Sequence, residues 1–177
     1  MKRFFEYLSC LAAMLLLSSC GFTQARPVTE FVTVEHQKIS LTLSMTIDST
    51  AGSGQHWMGE FEIRNNGLTA VSFLPWGTPW EGGFSRNLFD IKSAGRKIEY
   101  IGPMIKRSAP SSRDYIGIKP GASQVVKLNI SSGYSIKDSG EYSLTYQPGS
   151  LFLINQEQTF VVAAPSMATI AIQVGQK

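Results

Sequence analysis

Apolar and polar residues alternate strictly along two stretches in the first half of the chain. In the run 39–48, an apolar side chain occupies every second position from Ile39 to Ile47, with serine, threonine and aspartate in between. A period of two is the pattern of a strand with one buried and one exposed face. A second alternating run begins at Trp57, after a turn rich in glycine and serine, and stops at Asn65-Asn66-Gly67. Both runs predict β-strands bounded by turns.

Shorter strand-like runs continue to the end of the chain, mostly separated by Gly, Pro, Ser or Asn. They cover 70–74, 88–92, 97–101, 115–118, 124–130, 141–146 and 169–174. Beyond residue 20, no window carries the apolar i, i+3, i+4 stripe of a helix. The spacing predicts one all-β domain over residues 38–177, an immunoglobulin-like antiparallel β-sandwich of about seven to nine strands. Residues 148–165 fit either strand or loop, and their pairing stays open.

The first 19 residues have the three parts of an export signal. A basic start at Met1-Lys2-Arg3 is followed by an apolar run from Leu8 to Leu17 and by the small residues Ser18-Ser19. A helix needs roughly 20 apolar residues to cross a hydrocarbon core of about 30 Å, so this run is too short for a permanent span. Residues 1–19 are therefore predicted to be a signal peptide.

The residues Leu17-Ser18-Ser19-Cys20-Gly21 resemble the bacterial lipobox, in which the cysteine accepts a lipid and becomes the new N-terminus. The prediction is a lipoprotein held to a bilayer by acyl chains on Cys20, with residues 20–37 as the lipidated cysteine and a tether. An ordinary secretory signal, or cleavage near Ala25, is the alternative. Gly21, in place of an aspartate that marks inner-membrane retention, favours the outer membrane of the cell envelope.

Cysteine content and charge narrow the classes of partner. Cys10 lies within the signal, so the mature domain is expected to fold without a disulfide. Lys and Arg number 16 and Asp and Glu 13; without Lys2, Arg3 and Glu6 the counts are 14 and 12, a net charge of +2. Such a balance is too mild to indicate nucleic acid as a partner.

The sequence contains no recognisable catalytic or metal-binding motif. His56 and Glu60 have the i, i+4 spacing of a metal pair, but this needs a helix and the segment alternates as a strand. No Gly-x-Ser-x-Gly elbow is present. We therefore predict no enzymatic activity, no metal and no cofactor. An enzymatic alternative would need a site built from carboxylates without a motif, such as those of Glu60, Glu81, Asp90 and Asp114.

Two connections are longer and richer in aromatic and basic residues than turns of a plain sandwich. They are the segments 76–84 and 100–110. Tryptophan and arginine are enriched at interface hot spots, and ordered loops on a rigid scaffold often carry binding. The candidate contact residues are Trp76, Trp80, Glu81, Met104, Lys106 and Arg107. The alternative, also left open, is that Trp76 and Tyr100 fill the core while Lys106 and Arg107 form a solvated loop tip.

The same segments resemble the N-terminal immunoglobulin-like prodomain of aspzincin metallopeptidases, the group of deuterolysin and peptidyl-Lys metalloendopeptidase. The resemblance spans about residues 38–147. It begins with Asn65 at a strand end and a W-x-T-P-x-E-G element at Trp76, Thr78, Pro79, Glu81 and Gly82. It continues with a G-P-M-x-K-R-x-A-P element at Gly102, Pro103, Met104, Lys106, Arg107, Ala109 and Pro110. It closes with a G-x-Y-x-x-x-Y strand at Gly140, Tyr142 and Tyr146.

The resemblance implies a fold and a type of partner, but no proteolytic activity. The zinc-binding His-Glu-x-x-His helix of the family's catalytic domain does not occur in this sequence. What remains is a prodomain-like module that binds an exported aspzincin-type metallopeptidase, as an inhibitor or a chaperone, with Lys106 imitating the basic residue such enzymes select. The alternative is a structural or adhesive lipoprotein whose loops contact another envelope protein.

Overall fold

The computed structural model describes residues 27–36, 39–48, 50–51, 56–136, 139–156 and 158–174. The predicted signal peptide, Cys10, Cys20 and the remaining residues before Pro27 lie outside this range. Signal cleavage, lipidation and membrane attachment therefore stay predictions. In the part of the chain that is described, no helix is long and apolar enough to cross a bilayer.

The described residues form strands and three single turns of 3₁₀ helix. The strands are β1 (Pro27–His36), β2 (Ile39–Asp48), β3 (Thr50–Ala51), β4 (Met58–Asn65), β5 (Val71–Phe73), β6 (Phe89–Ser93), β7 (Arg96–Lys97), β8 (Ile116–Ile118), β9 (Ser123–Asn129), β10 (Gly140–Tyr146), β11 (Gly149–Asn155), β12 (Gln158–Ala164) and β13 (Ile170–Val174). The 3₁₀ turns are Pro79–Glu81, Ser112–Asp114 and Ile130–Ser132. The prediction of an all-β domain is confirmed.

Three sheets surround one apolar core. Their strand orders are β1-β2-β4-β9, β3-β13-β10-β6-β7 and β12-β11-β5-β8, and all pairs are antiparallel except the short pair β3–β13. Phe61 of the first sheet contacts Tyr146 of the second, with ring centroids 5.5 Å apart. His36 of the first sheet meets Phe160 of the third at 5.2 Å. The first sheet thus packs against the other two, which confirms the β-sandwich; immunoglobulin-like topology stays a prediction.

Strand β2 has the environment that its alternation predicts. Its five apolar side chains, from Ile39 to Ile47, are at most 3% exposed, and Leu43 lies opposite Ile63 of β4. Full burial of each such side chain contributes roughly 1.5–3 kcal/mol relative to exposure. A shift of register by one residue would place the whole set in water, so the alternation also fixes the pairing.

The structure extends the domain into the segment that was predicted to be a tether. Pro27–His36 forms β1 and pairs with β2 from Pro27↔Asp48 to His36↔Ile39, so the tether prediction is corrected for these ten residues. The strand lies at a sheet edge, where Pro27 is tolerated at the start. Its alternation is blurred because Glu30 falls among the inward-facing valines while Phe31 points outward and is 71% exposed.

The number of strands is larger than the seven to nine expected. β3 and β7 have two residues each, too few for alternation to be recognised. In addition, residues 148–165, whose pairing was open, form the antiparallel hairpin β11–β12, and β11 also pairs with β5. Leu151 and Leu153 enter the core while Phe152, between them, is 42% exposed. The extra strands complete the sheets without changing the fold class.

An aromatic cluster under the second sheet holds the start of β6 in place. Tyr134 contacts Phe84, Phe89 and Tyr100, with centroids 5.4–6.0 Å apart. Its hydroxyl donates to Asn87 Oδ1 at 2.5 Å and accepts from the Phe89 N–H at 2.9 Å. Burial raises the pKa of Tyr134 to about 12. The cluster therefore ties β6 to the turn of 3₁₀ helix at Ile130–Ser132, which Tyr134 follows.

A neighbouring tyrosine is buried without this support. Tyr146 is fully buried, and its hydroxyl has no hydrogen-bond partner among the described residues. Burial also raises the pKa of Tyr146, because the charged phenolate would be poorly solvated there. A buried hydroxyl without a partner is unfavourable, so the ring of Tyr146 stabilises the fold while its oxygen does not.

Candidate functional site

Two long connections lie against each other in the structure. The first, which we call the tryptophan loop, runs from Leu74 to Leu88 between β5 and β6. The second, which we call the basic loop, runs from Ile101 to Pro110 between β7 and β8. The main-chain N–H of Ile105 donates to Ser85 O at 2.9 Å and joins them. All six predicted contact residues lie on these two loops.

The tryptophan loop owes its shape to a capped turn. The Thr78 hydroxyl donates to Pro75 O at 2.6 Å. Pro79 then opens the 3₁₀ turn Pro79–Glu81, a position where its missing N–H leaves no donor unpaired. Gly82 ends the turn with φ 80° and an N–H donated to Pro79 O, a conformation that favours glycine. Threonine, proline and glycine in this motif are therefore explained by local structure.

Trp80 belongs to the core and not to the exposed surface. It is 8% exposed, and its indole Nε1 donates to Gln124 O at 2.9 Å. Its ring meets Phe73 edge to face at 5.7 Å. This hydrogen bond joins the tryptophan loop to β9, the edge strand of the first sheet. The expectation that Trp80 contacts a partner is corrected, because its buried side chain holds the tryptophan loop against β9.

Glu81 links the two loops. Its Oε2 accepts hydrogen bonds from Gly77 N–H at 2.7 Å and from Ser85 Oγ at 2.5 Å, both within the tryptophan loop. Its Oε1 forms an ion pair with Arg107 of the basic loop. The Glu81 side chain is 13% exposed, so the pair is shielded from water on the carboxylate side. Glu81 is therefore a positioning residue for both loops.

Arg107 is held on two sides. Besides the ion pair with Glu81, its guanidinium carbon lies 5.1 Å from the ring centroid of Trp76. A cation over an indole face is attractive by about 0.5–1 kcal/mol at exposed sites. The Arg107 side chain is 35% exposed and Trp76 is half-buried. The structure thus brings three predicted contact residues, Trp76, Glu81 and Arg107, into one cluster.

The basic loop has no regular secondary structure and is fixed at several points. Its start is bonded through Ile101 N–H to Gly133 O at 2.9 Å, and Tyr100 donates its hydroxyl proton to Pro103 O at 2.7 Å. Gly102 is needed here because a Cβ would lie 2.5 Å from the Tyr100 hydroxyl oxygen. Met104 is 75% exposed, and Lys106 is exposed as well. These two predicted contact residues point into solvent.

The alternative interpretation is that Trp76 and Tyr100 fill the core while Lys106 and Arg107 form a solvated loop tip. It holds only in part. Tyr100 is half-buried against Phe84 and Tyr134, and burial raises its pKa. Trp76, however, does not fill the core, and Arg107 is not a free loop tip because both are engaged with each other. Of the four residues concerned, Tyr100 packs against the core and Lys106 is solvated, as this alternative predicts.

A groove of about 310 Å³ opens between the two loops and the third sheet. Its walls include Trp76 and Arg107, and also Ile105, Arg86 and Phe152, which were not among the candidate contact residues. Arg86 donates from Nε to Gly77 O at 2.8 Å and from Nη2 to Pro148 O at 2.9 Å. Phe152 was missed because the pairing of its segment was open, and Arg86 because its partners are main-chain oxygens, which leave no sequence pattern.

The carboxylates of the enzymatic alternative are not gathered into a site. Glu60 lies 3.7 Å from Lys127, and Asp90 lies 3.1 Å from Lys92. Asp114 accepts from the N–H and hydroxyl of Ser111, which lowers the pKa of Asp114. In the described residues, no three His, Cys, Asp or Glu side chains lie close enough to hold a metal ion.

The remaining candidate ligand is also engaged. His56 Nδ1 lies 3.2 Å from Asn129 Nδ2, at the start of the segment that leads into β4. Glu60, its proposed partner at i+4, is in strand β4, so the helical geometry that the pair requires is absent. The prediction that the chain has no enzymatic activity nevertheless stays a prediction.

The fold and the two joined loops define the class: a β-sandwich domain with a preformed, loop-built surface. The chain is similar to parts of two known proteases. It is 36% identical over 84 residues to an extracellular protease of Aeromonas hydrophila, covering 48% of this chain and 24% of that protein. It is 27% identical over 160 residues to the peptidyl-Lys metalloendopeptidase of Armillaria mellea, covering 85% and 40%. No protein-family model matches the chain.

These similarities confirm the expected resemblance in a coarser form. The chain shares a related region with proteases, one of them a peptidyl-Lys metalloendopeptidase, but spans less than half of the length of either relative. The region it shares folds as a β-sandwich without a metal-binding cluster in its described part. The similarity therefore indicates a peptidase-associated domain.

Proposed function

We propose that this chain is a non-catalytic binding domain that docks on a metallopeptidase through its two joined loops and is held at a membrane by a lipid on Cys20. The observation that carries the proposal is the Trp76–Arg107–Glu81 cluster, which fixes the two loops as one surface in a domain related to parts of proteases. The proposal has three parts: the metallopeptidase partner, the lipid anchor on Cys20, and a role as inhibitor or chaperone.

The exposed side chains on this surface have the character of a protein interface. Met104 is 75% exposed and Ile105 48%. Ile105 lines the groove together with Trp76 and Phe152, and Met104 precedes it in the chain. Protein interfaces favour aromatic residues, methionine and arginine at their centre. Since the loops are already ordered, less conformational entropy is lost when a partner binds.

The proposal is tested by measuring binding of the purified full chain to the two relatives named above, by calorimetry in detergent. We expect a dissociation constant in the micromolar range or tighter for at least one. The variant Met104→Ser should weaken binding by about tenfold, which corresponds to 1.4 kcal/mol. Phe31→Ser is the matched control, because Phe31 is similarly exposed (71%) but lies on β1. Absence of binding to both proteases contradicts the peptidase proposal and favours an unrelated envelope partner.

The anchor is tested separately. Mass spectrometry of the protein isolated from a bacterial envelope should find a mature N-terminus at Cys20 with acyl chains attached. Several chains are needed for stable attachment, since one contributes only marginal membrane binding. A mature N-terminus at a residue after Cys20, without lipid, would remove the anchor and leave the docking surface unaffected.

A further inference from the structure

Lys106 occupies a special position on the basic loop, with an anchor on either side. Before it, the Ile105 N–H is bonded to Ser85 O; after it, Arg107 is held by Glu81 and Trp76. Between these anchors the Lys106 side chain is exposed and takes part in no hydrogen bond or ion pair with the described residues. Of the two adjacent cations, only the ammonium of Lys106 is therefore available to a partner.

The main chain around Lys106 is also available. From Met104 to Pro110, the Ile105 N–H is the one main-chain group with a main-chain partner in the described part of the chain. The segment has no regular secondary structure and is exposed throughout. Segments with free N–H and C=O groups can add as an extra strand to an exposed sheet edge of a partner, with side chains entering its pockets. Fixed ends keep such a segment in one conformation before it binds.

A loop that is fixed at both ends and displays one free lysine matches what a lysine-selecting peptidase recognises in a substrate. Such an enzyme must compensate a desolvated ammonium with a negative charge in its specificity pocket. Met104 and Ile105, exposed immediately before Lys106, would supply apolar contact area beside that pocket. Arg107 is neutralised by Glu81 and does not compete for the same negative charge.

We propose that the basic loop enters the substrate cleft of a lysine-selecting metallopeptidase and that Lys106 fills its specificity pocket, so that the domain blocks the enzyme as an uncleaved substrate mimic. This inference rests on the proposed docking function and specifies the surface of the partner. It also selects the inhibitory role over a chaperone role.

The test is inhibition of the peptidyl-Lys metalloendopeptidase of Armillaria mellea by the full chain, with a short peptide containing one lysine as substrate. We expect competitive inhibition and an intact chain by mass spectrometry after incubation. Lys106→Ala should raise the inhibition constant by at least about tenfold, because an acidic pocket would be left without its cation. Lys119→Ala is the matched control, since Lys119 is also exposed but lies in the turn after β8.

The possible outcomes separate this inference from the docking proposal. Binding without inhibition, inhibition that substrate does not relieve, or equal inhibition by Lys106→Ala overturns the substrate-mimic inference and leaves docking intact. Cleavage of the loop at Lys106 with loss of inhibition also overturns it, because the chain would then be a substrate. Absence of any binding overturns both proposals.

Discussion

The two tryptophans of the tryptophan loop lie four residues apart and have opposite surroundings. Trp80 faces inward, where its ring meets Phe73 and its indole N–H covers a carbonyl of the edge strand β9. Trp76 faces outward, lies under the guanidinium of Arg107 and borders the groove. The inner side of the two loops packs against the sandwich and is hydrogen-bonded to it, whereas the outer side presents apolar and basic side chains to solvent.

This difference indicates that most residues of the W-x-T-P-x-E-G element have a structural role. Thr78, Pro79, Gly82 and Glu81 build or hold the loop, and Trp80 fixes it to the sandwich. Only a few side chains on the outer side, above all Met104 and Lys106, are left unengaged. We infer that the inner residues determine stability and that the outer residues determine recognition, and the following substitutions test that division.

The largest expected effect on stability is that of Trp80→Ala. It removes a buried ring and the hydrogen bond to Gln124 O, so the free energy of unfolding should fall by about 3–5 kcal/mol. Trp80→Phe keeps most of the ring volume and should lose about 1 kcal/mol. Trp76→Ala should lose only about 1 kcal/mol, the contribution of an exposed cation–π contact. Urea denaturation measures all three; an equal loss for both Trp→Ala variants contradicts the inward–outward division.

An intermediate effect is expected from Glu81→Ala. The change leaves the Gly77 N–H and the Ser85 hydroxyl without their acceptor and releases Arg107, which should destabilise the fold by about 2 kcal/mol. Glu81→Gln keeps an acceptor and should lose less. Hydrogen exchange should show faster exchange of the Ile105 N–H in Glu81→Ala, because the basic loop loses its link to the tryptophan loop. Unchanged exchange there would mean that Glu81 does not position the basic loop.

Two of the buried tyrosines, Tyr134 and Tyr146, give a smaller contrast within the core. Tyr134→Phe removes bonds to Asn87 and Phe89 and should lower stability by about 1–2 kcal/mol, whereas Tyr146→Phe removes an unpartnered hydroxyl and should be neutral or slightly stabilising. Because the folded-state pKa of Tyr134 is raised to about 12, its stabilisation is present below pH 10 and is lost as the pH rises toward 12. Urea denaturation of the wild type and of Tyr134→Phe at a series of pH values measures this loss.

The sandwich could be predicted from the sequence because its central strands are half-buried and alternate without interruption, as in the run from Ile39 to Ile47. Strand β1 could not, since an edge strand is covered on fewer sides and tolerates Glu30 and the outward Phe31. The loops could be selected by their composition, but the roles of Trp76 and Trp80 could not be told apart. That distinction depends on Gln124 and Arg107, which are far away in the chain and close only after folding.

The smallest expected effect on stability is that of the two outermost residues, and it is the sharpest test of the division. Met104→Ser and Lys106→Ala remove exposed side chains for which the structure shows no hydrogen bond or ion pair within its described part, so the free energy of unfolding should change by no more than about 0.5 kcal/mol. Binding should nevertheless weaken by about tenfold in each variant. If a substitution weakens binding but leaves the free energy of unfolding unchanged, a loosened loop is not the cause. A loosened loop would also lower the stability measured by urea denaturation, as is expected for Glu81→Ala. If Met104→Ser or Lys106→Ala destabilises the fold as much as Glu81→Ala does, the outer residues also hold the loops, and a loss of binding can no longer be assigned to direct contact with the partner.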